Sequence, residues 1–127
     1  MRESDVLGLA IRRRILICRE ACEALVMVSE ACADACWVLE GEAESTDWCL
    51  ANLDCVETCL LANMVLSWHV SRDRSTTLRL LATCRVACAA SKIACELLAD
   101  KHEGWDTCSV ACDRVSEACA RLMAILK

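Results

Sequence analysis

Apolar and thiol side chains recur along this chain in alternating steps of four and three. One series runs through Cys18, Cys22, Leu25, Ser29, Cys32 and Cys36, and a second through Trp48, Asn52, Cys55, Cys59, Ala62, Leu66 and His69. A third takes Leu81, Cys84, Cys88, Ser91, Cys95, Leu98 and His102, and a fourth Trp105, Cys108, Cys112, Val115, Cys119, Leu122 and Leu126. Such an alternation is the seam of a helix that faces a bundle axis. Three breaks separate the series: 41–45 is small and acidic, 71–75 is wholly polar, and 101–104 is polar and ends in Gly104. The pattern predicts helices over about 5–40, 46–70, 76–101 and 105–126. Ser45 and Ser75 are the expected N-caps, because their hydroxyls accept otherwise unpaired backbone N–H groups. Residues 1–14 either extend the first helix or form a short extra one. Short connections make neighbouring helices antiparallel, so the expected fold is all-α: one up-down-up-down antiparallel four-helix bundle spanning 1–127.

Composition agrees. Among 127 residues there is no proline, and only three are glycine, which suits long helices and excludes a turn-rich sandwich or barrel. The formal charge is −5 and the basic residues are scattered, apart from Arg12, Arg13 and Arg14, which read as a solvated face. Nucleic-acid binding through a basic face is therefore not expected. Uninterrupted apolar runs fall well short of the roughly 20 residues of a membrane span, so no membrane partner is expected. The stretch 6–11 followed by three arginines is too short and in the wrong order for a signal peptide. The expected location is the cytoplasm, where thiols stay reduced.

Thirteen residues are cysteine, and twelve of them fall on the seams; Cys49 is one step off. Random placement would put roughly two sevenths there. The bundle core is therefore expected to be lined with thiols. Packing alone explains this poorly, because Ala, Val and Leu pack as well without the risk of oxidation. Five pairs are four residues apart: Cys18/Cys22, Cys32/Cys36, Cys55/Cys59, Cys84/Cys88 and Cys108/Cys112. One helical turn apart, their parallel Cβ vectors suit a disulfide badly. Two such thiolates can instead clasp a soft metal in linear coordination. Replacing each thiol proton by one Cu(I) leaves the core's charge unchanged when thiolates bridge. A zinc held by four thiolates carries about −2, which is costly in an apolar core. No Cys-x-x-Cys exists, which removes the usual iron–sulfur and thioredoxin-like patterns. Many Cu(I) ions are the expected cargo. Two alternatives stand beside this reading: a zinc or generic thiolate buffer, and a structural or interaction bundle that binds no metal.

The pattern Cys84-Arg-Val-Ala-Cys88, Cys95, His102-Glu103, Cys108-Ser-Val-Ala-Cys112 and Cys119 resembles the cysteine-rich four-helix-bundle copper storage proteins, in their signal-less cytosolic branch. The pairs Cys18/Cys22, Cys32/Cys36 and Cys55/Cys59 extend the likeness over about 18–122. The resemblance implies cytosolic Cu(I) storage, largely on Cys-x-x-x-Cys pairs, and often a tetramer. A third Cys commonly follows each pair in that family; here Leu25, Ser91 and Val115 stand in its place. A His commonly precedes the first Cys of the last helix; here it is Thr107. Both departures imply a lower capacity.

The candidate ligands are thus all thirteen cysteines, Cys49 included, together with His102. His102 ends the third seam, at the end of the bundle shared by Trp37, Trp48 and Trp105. It reads either as an entry ligand or as a half-exposed capping residue. No Cys stands apart in an electropositive setting, and no phosphate loop or hydrolase spacing occurs, so no enzyme is expected. The outward positions of the fourth helix are polar, whereas those of the second are Leu50, Leu53, Leu60, Leu61, Met64 and Trp68. The first helix adds Leu16, Ile17, Met27 and Val38. An apolar outer stripe of this kind marks an interface. The expectation is a homo-dimer or homo-tetramer through the first two helices, unless 1–14 folds back to cover them through Val6, Leu7, Leu9 and Ile11.

Overall fold

The computed structural model describes residues 2–36, 43–68, 73–98 and 105–127. Four helices follow one another: α1 Glu3–Cys36, α2 Ala43–Trp68, α3 Arg74–Leu98 and α4 Trp105–Leu126. Each packs on its chain neighbours, and α1 closes the ring against α4. Side-chain pairs give the directions. Trp48, Cys55 and Cys59, ascending α2, meet Cys95, Cys88 and Cys84, descending α3. Seven and four residues forward on one helix match seven and four back on the other, so the two are antiparallel in constant register. Across the α1–α4 face, Cys18 meets Cys119 and Cys32 meets Cys108, again in opposite order. The fold is the expected up-down-up-down bundle with a thiol-lined core.

The helix ends differ from the sequence reading in detail. α1 begins at Glu3, so residues 3–14 are its opening turns rather than a separate element, and Val6, Leu7 and Leu9 are exposed instead of folding over α2. α3 is capped by Asp73, not Ser75. The Asp73 carboxylate accepts hydrogen bonds from the Thr76 hydroxyl (2.7 Å) and the Thr76 backbone N–H (3.0 Å). These bonds hold its carboxyl below the usual range. A carboxylate at this end also meets the positive pole of the helix, which a Ser hydroxyl does not exploit. Ser45 likewise lies inside α2, which starts at Ala43. The predicted extensions over 37–40, 69–70 and 99–101 lie outside the described residues.

Polar pairs stitch the rim. Asn63 accepts from Arg19 Nε at 2.8 Å and donates to Glu23 at 3.2 Å, joining α2 to α1. Lys92 pairs with Asp113 at 2.8 Å between α3 and α4. Inside, the thiol-bearing core ends at Cys18 and Cys119. Beyond them Leu66, Leu81, Leu122 and Leu126 are buried, with Ile11 and Ile15 packed against them. That end is plugged by hydrocarbon, and the thiols continue only toward the opposite end, where Cys32, Trp48, Cys95 and Cys108 form a second cluster.

The stretch Trp48–Trp68 has a mean hydropathy of 1.4 over 21 residues, enough by length and composition alone to cross a membrane. Polar residues such as Asn52, Asp54 and Glu57 break the stretch into short apolar runs. The apolarity is spread over two faces of α2: the seam, and an outer stripe in which Leu50, Leu53, Leu60, Leu61, Met64 and Trp68 are exposed.

Candidate metal centre

Eleven cysteines are buried thiols: Cys18, Cys22, Cys32, Cys55, Cys59, Cys84, Cys88, Cys95, Cys108, Cys112 and Cys119. All lie on the seams, and the four–three spacing stacks them along the bundle axis. At the inner end Cys18 and Cys119 are 3.7 Å apart. The middle is denser. Cys55 lies 3.6 Å from Cys88, and Cys59 lies 3.7 Å from Cys84. Two triads emerge, Cys22/Cys59/Cys84 and Cys55/Cys59/Cys88, each with its three sulfurs within 4.8 Å of one another. Cys59 belongs to both, the position of a bridging thiolate.

The protons in this cluster are shared unequally. The thiols of Cys119 and Cys22 hydrogen-bond to Cys18 and hold it down to about 4. Bonds from Cys108 and then Cys112 hold Cys95 down to about 4. Cys55 and Cys84 are lowered in the same way, first by Cys112 and Cys119 respectively. Their partners Cys22, Cys59, Cys88, Cys108, Cys112 and Cys119 are pushed up, chiefly by hydrogen bonds within the same thiol network and by burial. In the closest pairs either sulfur can be the donor, so protons are shared across the helices. A soft cation can take the place of these shared protons.

At the end opposite the hydrocarbon plug, Trp48 occupies the seam position on α2 where a fourth thiol would otherwise face Cys32, Cys95 and Cys108. Its side chain is buried, and its indole N–H donates to Cys95 Sγ at 3.0 Å. It belongs to the core rather than to a rim. The sequence placed Trp48 on the seam but carried no signal for this bond, which depends on the register between α2 and α3.

One level deeper the seam turns polar. Asn52 on α2 lies midway between Trp48 and Cys55, and Ser91 on α3 lies midway between Cys95 and Cys88, so the two face each other. Ser29 on α1 joins them, seven residues beyond Cys22 as Asn52 is seven before Cys59. Ser29, Asn52 and Ser91 are 1%, 7% and 0% exposed. Ser29 Oγ and Asn52 Oδ1 have no hydrogen-bond partner among the described residues, whereas the Ser91 hydroxyl meets the sulfurs of Cys95 and Cys112. On α4 this level is filled by Cys112.

Cys49 requires a correction. It is exposed and disulfide-bonded, so it has no thiol proton to exchange for a metal. Pairs one turn apart on a single helix suit a disulfide badly, but Cys49 has no Cys at that spacing. The Cys36 side chain and His102, with Trp37 and the Trp105 side chain, lie outside the described residues.

A sequence model described as Csp, copper storage protein, matches residues 11–124. Among solved structures the chain is similar to a cytosolic copper storage protein from Streptomyces lividans described with five coppers. The TM-score is 0.84 at 32% identity, over 91% of this chain and 96% of that one. It is also similar to the Streptomyces lividans protein loaded with 10 copper equivalents, with a TM-score of 0.82 at 32% identity over 88% and 85% of the two chains. No curated protein sequence matches.

Proposed function

The chain belongs to the copper storage protein family and stores copper; we propose that it does so as many Cu(I) ions on the thiolates that line its bundle. The observation that carries this reading is the pair of buried thiol triads sharing Cys59. A bridging sulfur lets copper and thiolate approach one to one, so each Cu(I) replaces one proton and the apolar core stays neutral. The metal ligands in this reading are Cys18, Cys22, Cys32, Cys55, Cys59, Cys84, Cys88, Cys95, Cys108, Cys112 and Cys119. Cys36 and His102 extend the set beyond Cys32 and Cys95 by their place in the sequence.

The zinc alternative is supported less well. Zinc wants four separate donors in a tetrahedron. Each triad supplies three, and the shared Cys59 prevents two independent sites. The role is storage rather than catalysis: the thiols are sequestered along the axis instead of presented in a cleft. The likeness to a protein described as cytosolic supports a cytoplasmic location.

The outer stripes of α1 and α2 fit a homo-dimer or homo-tetramer. Leu16 and Met27 on α1 stand exposed, as do the six apolar residues of α2, and the opening turns of α1 leave them uncovered. Burying such a stripe gains roughly 25 cal/mol per Å² of apolar surface.

Anaerobic loading of the reduced chain with Cu(I) and Zn(II) together tests the reading, with metal content measured after gel filtration. Retention of many coppers and little zinc is expected. Preferential zinc retention favours the generic thiolate buffer, and retention of neither favours a metal-free bundle.

A further inference from the structure

The sulfurs of Cys95 and Cys59 face different kinds of neighbour. Around Cys59 lie the thiols of Cys22, Cys55, Cys84 and Cys88. Cys95 meets the thiols of Cys108 and Cys112, but the Trp48 indole N–H also donates to its sulfur at 3.0 Å, and the Ser91 hydroxyl meets it as well. Copper treats the two kinds of neighbour differently. A thiol proton leaves when Cu(I) takes its place. An indole nitrogen is a donor only and keeps its proton, as a serine hydroxyl does. Trp48 is held where it is, because its side chain is fully buried in one cluster with Cys32, Cys95 and Cys108.

A thiolate sulfur has three electron pairs beyond its bond to Cβ. Bridging two coppers uses two of them. At Cys95 the indole N–H takes one pair, and the Ser91 hydroxyl competes for a second, so one is left for metal. The hydrogen bond is charge-assisted once the sulfur is a thiolate, which makes it one of the stronger kind. It also offsets the negative charge that a sulfur keeps when it binds one copper instead of sharing two. Donors of this sort, one step removed from the metal, set how its ligands behave.

We propose that Trp48 is a positioning residue of the store: its N–H restricts Cys95 to terminal coordination of one Cu(I), whereas Cys59, surrounded by thiols, bridges. This rests on the copper-storage reading above. The step at Cys95 is an exchange without redox change. One Cu–S bond forms, the Cys95 thiol proton leaves to solvent, the N–H···S bond stays, and copper remains Cu(I). A terminal sulfur makes one Cu–S bond where a bridging sulfur makes two, so Trp48 keeps the copper content below one ion per core thiol.

The test loads the reduced, isotope-labelled full chain anaerobically with Cu(I) and follows the indole N–H resonances by heteronuclear NMR, with Trp48→Phe assigning the Trp48 signal. On loading, that signal is expected to shift and to stay protected from exchange with solvent. Trp48→Phe keeps an aromatic ring on the seam and removes the donor. It is expected to retain about one more Cu(I) per chain than wild type against a Cu(I) chelator, because Cys95 is then free to bridge. A purely packing role for Trp48 gives the variant equal or less copper, and that result overturns the proposal. A Trp48 N–H that loses its protection in the loaded wild type has left Cys95 and overturns it too, whether or not the variant folds. A wild-type chain that retains no copper overturns the storage reading itself, and the role of Trp48 with it.

Discussion

The indole N–H of Trp48 donates to Cys95 Sγ at 3.0 Å, placing a buried fluorophore against a sulfur at the end of the thiol column opposite the hydrocarbon plug. The other described tryptophan side chain, Trp68, is exposed on the outside of α2. Copper binding at Cys95 should therefore quench the short-wavelength emission of Trp48 and leave the longer-wavelength emission of Trp68 in place. Trp48→Phe should reduce the copper-dependent change. Loss of the N–H···S bond should lower stability by about 0.5–1.5 kcal/mol, read from denaturant unfolding of the apo chain.

Cys84 belongs to one triad and Cys88 to the other, whereas Cys49 is outside the column and disulfide-bonded. Replacing Cys84 and Cys88 together by Ser should remove several coppers from the loaded chain. Each buried hydroxyl costs about 1–3 kcal/mol, so the apo variant should be less stable yet still helical by circular dichroism. Cys49→Ser should leave the copper content as it was. Equal losses from both variants would show that position on the seam does not decide which thiols bind.

Much of this was legible from spacing alone. The four–three steps gave the four helices and the burial of the seam cysteines, and the short connections gave the antiparallel order. The relations between helices were not legible. Ser29, Asn52 and Ser91 each appear on a seam in the sequence, but their meeting at one level depends on the offset between α1, α2 and α3, which periodicity within a helix does not contain. Asp73 and Ser75 both suit an N-cap, and the choice between them turns on where the first helical bond forms. Residue type alone marks Cys49 as a ligand, whereas its off-seam position sets it apart.

The Asp73 cap carries a pH dependence. Its carboxyl is lowered by the two bonds to Thr76, so its folded pKa lies below the unfolded one. The stabilisation is therefore fully present above the unfolded carboxylate value, and is lost as pH falls through the folded value. Asp73→Ala should lower the melting temperature of the apo chain at neutral pH. The difference between variant and wild type should shrink as the solution is acidified below the carboxylate range. A difference that stays constant into strong acid would assign the effect to something other than the charge on this cap.

Leu61 and Met64, 46% and 45% exposed, lie together on the outer stripe of α2. Replacing both by Glu places two charges where the self-association surface is proposed. Sedimentation should show the wild type as a dimer or tetramer and the double variant as a monomer with unchanged copper content. A wild-type chain that sediments as a monomer at micromolar concentration contradicts the interface.

The central claim is that the buried thiols are a store, and copper counted per chain tests it most directly. The reduced protein is titrated anaerobically with Cu(I) in the presence of a high-affinity Cu(I) chelator, and the metal held against the chelator is measured. The account predicts a plateau of many ions, approaching about one per core thiol, with little change in helical content. A plateau at a single ion per chain would contradict it.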